Sequence, residues 1–179
     1  GDFAYLNKSG CDQISGVDDA EEFRRVCGAM SDIGITEEQR LEFWKTLACI
    51  LFLGNVEFDK VSDDAVAVRG STALDNAAAL MGVGVEAMEK ALSNRTMTAG
   101  GDVITMEMNM EMAQDVRDAL AKFLYEAQFR DLVGKVNDGI SESHNRGTKG
   151  QESSPSKILS LSLLDIYGFE CFQTNSFEQ

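Results

Sequence analysis

The chain has 179 residues, a size that fits one domain or a large piece of one. Its formal net charge of −14 argues against a nucleic-acid surface or an anionic membrane surface, both of which need clustered Lys and Arg. No apolar run is long enough for membrane insertion, and the N-terminus has neither the basic nor the apolar region of a signal peptide.

The 4 cysteines, Cys11, Cys27, Cys49 and Cys171, are scattered without a CxxC pair, and the only histidine, His144, lies in a polar stretch. A zinc site needs clustered ligands, so none is expected, and free thiols of this kind fit a reducing cytoplasm.

Tyr5 to Val17 is rich in Asn, Ser and Gly and reads as a loop. Asp18 opens a helix, with Glu21 as its capping-box partner and Gly34 as its stop. Ala20, Phe23, Val26, Cys27 and Met30 give that helix one apolar face. Thr36 caps the next helix with Gln39 as reciprocal partner. Its second half, Leu47 to Leu53, is apolar all round and so is expected to be buried, and Gly54-Asn55 ends it.

Two short strands are expected at Val56-Glu57-Phe58 and Ala65-Val66-Ala67-Val68. Helices at Thr72 to Met81 and Val85 to Ser93 follow, separated by Gly82 and Gly84. Ala99-Gly100-Gly101-Asp102 reads as a turn and Val103 to Glu107 as a strand. The longest helix is expected from about Asn109 to Ile140, with Met112, Val116, Leu120, Phe123, Ala127 and Val136 at helical spacing and Gly134 as its weak point. The methionines at 106, 108, 110 and 112 have no His or Cys beside them, so they read as packing filler rather than a copper site. Ser141 to Lys157 reads as a mobile surface loop holding the only proline, Pro155.

Ile158 to Leu164 is a short, nearly uncharged run of the kind that forms a buried parallel strand. Asp165 stands at its carboxyl end, where a phosphate-transfer site places a carboxylate to hold Mg²⁺ or its waters. Gly168 follows at the spacing of Asp-x-x-Gly, where a bare backbone N–H can approach an anion. Taken alone, that tetrapeptide is better explained by a strand ending in a solvated Asp and a turn glycine.

The residues around it carry more. Asp165-Ile-Tyr-Gly-Phe-Glu170, then Phe172 and Asn175-Ser-Phe177-Glu178-Gln179, resembles switch II and the start of the relay helix of the myosin motor domain. Further matches run upstream in order. Tyr5-Leu6-Asn7-Lys8-Ser9-Gly10-Cys11 resembles the family's YLNxSGC, and Gly16 to Ala20 its GVDDA. Ile50 to Asn55 resembles its ILHLGN with Phe52 in place of His, and Arg117 to Lys122 its RDALAK. The chain departs from the family's LYxRLFxWLVxxIN, with Ala127, Gln128 and Asp131 where Arg, Leu and Trp are usual. That loss of apolar surface implies altered local packing.

The resemblance implies a predominantly α fold with short β segments. Residues 1–140 would form the helical upper-cleft subdomain on the actin-binding side, and 141–157 the mobile loop. Residues 158–179 would supply one terminal strand of the motor's central mixed sheet, switch II and the relay-helix start, within a P-loop NTPase-like α/β motor.

It implies an actin-activated Mg-ATPase that moves on actin filaments in the cytoplasm, with ATP and Mg²⁺ as cofactors. Its partners would be actin and the rest of the head, with light chains held only through a neck outside these motifs. Asp165 would hold Mg²⁺ through water, Gly168 would offer its N–H to the γ-phosphate, and Glu170 would pair with a switch I arginine. Phe172, Asn175, Phe177 and Glu178 would begin the relay. Asp102, sixteen residues before Asp118, matches an actin-facing position that is acidic or phosphorylatable in the family; an ordinary turn Asp after Gly100-Gly101 is the other reading.

The sequence holds no GxxxxGK[ST] phosphate loop and no switch I motif, so these 179 residues alone are expected to be inactive, with no ATP tightly bound. Two other classes compete: a non-enzymatic helical interaction domain that retains a myosin-like sequence, and an unrelated P-loop NTPase fragment. Neighbouring sequence carrying a phosphate loop and switch I would decide against the first. The second leaves the match beyond Glu170 without an account.

Overall fold

A computed structural model of the chain describes residues 2–10 and 13–147. The described part is mostly helical. In chain order it runs α1 (Asp19–Asp32), α2 (Glu37–Gly54), β1 (Phe58–Lys60), β2 (Val66–Val68), α3 (Thr72–Met81), α4 (Val85–Ser93), β3 (Asn94–Ala99), β4 (Asp102–Glu107) and α5 (Met110–Gly147). Each strand pair is antiparallel and two-stranded: β1 with β2 and β3 with β4. The fold is thus predominantly α with short β segments, as the sequence implies.

Caps set most boundaries. Asp18 Oδ1 accepts from the backbone N–H groups of Ala20 and Glu21, at 2.9 and 3.1 Å, and starts α1. Thr36 and Gln39 form the full capping box of α2, the Gln39 side chain accepting from Thr36 N at 2.9 Å and Thr36 Oγ1 from Gln39 N at 3.3 Å. Ser71 caps α3, and Gly82 ends it in the left-handed region at φ 69°, a conformation that penalises any Cβ.

The main core gathers the second half of α2, both β1–β2 strands, α3, α4 and the first half of α5. Leu53, Val56, Leu74, Ala77 and Ala78 are completely buried, and each buried Leu contributes roughly 1.5–3 kcal/mol. Ala77 and Ala78 let α3 lie close on α2, so that the Cys49 thiol reaches the Ala77 carbonyl at 3.6 Å. Burial pushes that thiol's pKa up. A second, smaller cluster joins Met30, Ile35 and Phe43, with Trp44 and Leu132 against it.

Several expectations are corrected. The apolar face of α1 delivers only Met30 to the core, while Phe23 and Val26 stay about half exposed at 51% and 48%. Phe23 meets the Trp44 ring at a tilt, with the ring centroids 5.0 Å apart. The strands β1 and β2 sit two and one residues later than expected, since Val56 and Ala65 bury their side chains just ahead of the ladder. In α2 the run from Leu47 to Leu53 is only partly enclosed, with Cys49 and Leu53 fully inside.

On α5 the buried stripe is Ala113 and Ala121, flanked by Met112, Leu120 and Leu124, whereas Val116 is partly and Phe123 (65%) largely exposed. The helix continues through Gly134 and past Ile140 to Gly147, so residues 141–147 are helical rather than loop. The rest of the expected loop, and the whole of 158–179, lie outside the described residues. Of the methionines, Met108 is buried and Met110 and Met112 pack on the core, as filler should, whereas Met106 is exposed on β4.

Candidate functional site

Three of the matched motifs meet at one place. The Tyr5 ring lies against Gly54, so closely that an ideal Cβ there would sit 2.7 Å from it. Tyr5 Oη donates to Asp118 Oδ1 at 2.6 Å across 113 residues of chain. Arg117 grips the same carboxylate through Nε and Nη2, at 2.9 and 2.8 Å, and donates Nη1 to the Val56 carbonyl at 2.9 Å. Asn55 completes the joint: its Oδ1 accepts from Ala4 N at 2.8 Å and its Nδ2 donates to the Asp2 carbonyl at 2.7 Å.

Phe52 meets Phe3 edge-on at 5.6 Å, an aromatic pair worth about 0.5–1.5 kcal/mol that the usual His would not make in the same way.

This arrangement is a clamp. It ties the entering segment to the end of α2 and the start of α5. Burial together with the Asp118 hydrogen bond pushes the Tyr5 hydroxyl up to about 12, so it stays a donor. Burial alone would raise the Asp118 carboxyl, but the bonds from Tyr5 and Arg117 outweigh it and hold it below the usual carboxylate range. The fourth motif is local: Gly16, at φ 84°, turns the chain into Asp18, the cap of α1. The sequence marks Tyr5, Asn55, Arg117 and Asp118 only as letters of motifs, and their convergence is what the fold adds.

Asp102 stands elsewhere. Gly100 and Gly101, at φ 63° and 95°, form the two-residue turn of the β3–β4 hairpin, a geometry that only Gly-like residues accept at both positions. Ala99 pairs with Asp102 across it. All six β4 residues are exposed, so the hairpin projects from the core, rooted by the bond from Met108 N to the Ser93 carbonyl at 2.9 Å. Strand alternation puts Asp102 on one face with Ile104 and Met106. Asp165, Gly168, Glu170, Phe172, Asn175, Phe177 and Glu178 all lie outside the described residues.

The departures from the family pattern have a visible consequence. Ala127, Gln128 and Asp131 all line a cavity of about 370 Å³ between α2 and α5. Asp131 pairs with Lys135 at 2.8 Å, and Gln128 Nε2 donates to the Phe43 carbonyl at 3.0 Å. Among the described residues, the buried Gln128 Oε1 finds no donor. A buried acceptor without a partner costs about 1–3 kcal/mol, more than the about 0.5–1.5 kcal/mol that one bond returns. The Phe43 carbonyl sits inside α2, where a helical bond already serves it. Gln128→Leu is therefore expected to raise stability by about 0.5–1.5 kcal/mol in urea unfolding of the chain, and a loss of stability would contradict this account.

Comparison with known proteins agrees with these motifs. The family model "Myosin head (motor domain)" matches residues 1–179. The chain is 40% identical over 186 residues to the myosin ID heavy chain of Dictyostelium discoideum, covering 99% of this chain and 16% of that protein. It is 38% identical over 180 residues to myosin-2 of Arabidopsis thaliana, covering 99% of this chain and 14% of that protein. It is 37% identical over 177 residues to unconventional myosin IC of Drosophila melanogaster, covering 99% of this chain and 16% of that protein. The chain thus spans 11 to 17% of the length of the curated relatives it matches. With the clamp built from three of its motifs and the match running end to end, the chain belongs to the myosin head (motor domain) family.

Proposed function

We propose that this chain is part of an actin-based motor that couples Mg-ATP hydrolysis to movement on actin filaments, working in the cytoplasm. The structural observation that carries the actin half of this reading is the β3–β4 hairpin. It presents Asp102 beside the Gly-Gly turn, clear of the core, at the position matched to the family's actin-facing loop. A fixed carboxylate there gives a contact that needs no phosphorylation.

The catalytic half rests on the switch II match. Asp165 would hold the Mg²⁺, Gly168 would offer its N–H to the γ-phosphate, and Glu170 would close the pocket on an arginine from switch I. When bound, ATP with Mg²⁺ supplies the phosphoryl group and the charge to which these residues respond. Phe172, Asn175, Phe177 and Glu178 start the relay of that closure. The phosphate loop and switch I come from the rest of the head, so the 179 residues by themselves neither bind ATP tightly nor hydrolyse it. Light chains engage through a neck rather than through this part. Among the described residues no helix is long and apolar enough to cross a membrane.

Asp102→Ala in the full-length protein tests the actin contact. The expected result is an about 3- to 10-fold rise in the actin concentration needed for half-maximal ATPase, with the rate without actin unchanged. Asp102→Glu should keep the wild-type value. An unchanged actin dependence in Asp102→Ala would refute the assignment.

A further inference from the structure

A cavity of about 580 Å³ opens beside the clamp, between the loop that carries Lys8 and the face of α5 that carries Lys122 and Tyr125. Its size falls in the range of small-molecule sites. Tyr5, Tyr125, Ile50 and Ala121 make its apolar walls, with Ala121 buried and the Tyr125 ring 58% exposed.

The charged groups of the lining are two lysines and one carboxylate. Lys8 and Lys122 bring two ammonium groups from separate elements to the same cavity. In a chain with 30 acidic and 16 basic residues this is a local reversal of sign. Among the described residues Asp118 is the one carboxylate in the lining, and its Oδ1 is already taken by Tyr5 Oη and the Arg117 guanidinium. It also acts on Lys122, so one carboxylate faces two lysines and the lining keeps an excess of one positive charge. Two aromatic rings and two ammonium groups around one cavity match a flat apolar body with an anionic end. The Asp118 charge on the same wall and the −14 of the chain disfavour a ligand with two or more negative charges.

We propose that this cavity binds a planar aromatic monoanion, of the aryl carboxylate class, with its ring between Tyr5 and Tyr125 and its carboxylate between Lys8 and Lys122. The site lies on the clamp rather than at switch II or the hairpin, so it stands independently of the motor reading. A ligand seated there would bear on Tyr5, and through it on the joint between α2 and α5.

The test is titration of the full-length protein with 2-naphthoate, followed by calorimetry and by saturation-transfer NMR. Saturable binding is expected. The uncharged 2-naphthamide should bind about tenfold more weakly, and the double variant Lys8→Gln, Lys122→Gln should weaken 2-naphthoate by about tenfold. Both lysines are exposed, so the double variant should keep the wild-type circular dichroism spectrum. Tyr125→Ala, also at an exposed position, should weaken both the acid and the amide, since it removes a wall and not a charge. Absence of saturable binding would overturn the proposal. So would equal affinity for acid and amide, or 2-naphthoate binding that neither variant changes.

Discussion

Glu170→Ala in the full-length protein is expected to lower ATP turnover by at least about a hundredfold while leaving ATP binding largely intact. The reasoning is electrostatic. In the proposed site the Glu170 carboxylate closes the pocket by pairing with an arginine on the other side of the γ-phosphate. Phosphoryl transfer owes its rate to positioning and to charge stabilisation in a site that excludes water. Removing one partner of an enclosed pair leaves the other charge unpaired and costs about 3–5 kcal/mol, which is roughly 10² to 10⁴ in rate. Nucleotide binding depends mainly on the phosphate loop, so it should change little. Stopped-flow binding of a fluorescent ATP analogue together with single-turnover hydrolysis separates the two steps. Turnover within threefold of wild type would contradict the role given to Glu170.

Two glycines of α5 are expected to respond to alanine with opposite signs. Gly134 has open space where a Cβ would go, so Gly134→Ala should stabilise the chain by about 0.5–1 kcal/mol through helix propensity. At Gly139 an added Cβ would overlap the Ile33 carbonyl oxygen and lie 3.1 Å from both the Ile33 carbonyl carbon and its Cβ. Backbone is the obstacle, at the cap that ends α1, so no rotamer change relieves it. The turn between α1 and α2 would have to move off α5, carrying the Met30–Ile35–Phe43 cluster with it. Overpacking of about 1–3 kcal/mol should exceed the propensity gain, and Gly139→Ala should destabilise by about 1–2 kcal/mol net. Urea unfolding of the chain carrying each substitution measures both, and a stabilised Gly139→Ala would contradict the packing described for α5.

The same pair shows what the sequence can and cannot reveal. Gly134 draws attention as a helix interruption, yet the helix runs through it, while the glycine that packing requires is Gly139. Where a boundary is set by local chemistry, the sequence reads well. Thr36 with Gln39, Ser71 and Gly82 fix the ends of α2 and α3, and α3 and α4 fall where periodicity places them. Where a contact is non-local, the sequence is silent. The strand β3 has a single large apolar residue, Met97, and exists because β4 folds back on it through Gly100-Gly101.

Size misled too. Phe123 looks like a core residue of α5, but close approach to its neighbours selects Ala113 and Ala121 instead. The departures at Ala127, Gln128 and Asp131 were legible as changes, and the cavity they share became visible only with α2 in place. The clamp is the sharpest case. Its residues stand in three recognisable motifs, yet nothing in the strings says that Tyr5 rests on Gly54 and bonds to Asp118.

A motor of the proposed kind would hold actin and let go on binding ATP. Sedimentation of the full-length protein with filamentous actin tests this most directly. The account predicts that the protein pellets with filaments when nucleotide is absent and returns to the supernatant when Mg-ATP is added. The isolated 179 residues, which contain no phosphate loop, should show no ATP-dependent release. A full-length protein that ignores actin without nucleotide, or that stays on the filament when Mg-ATP is added, would contradict it.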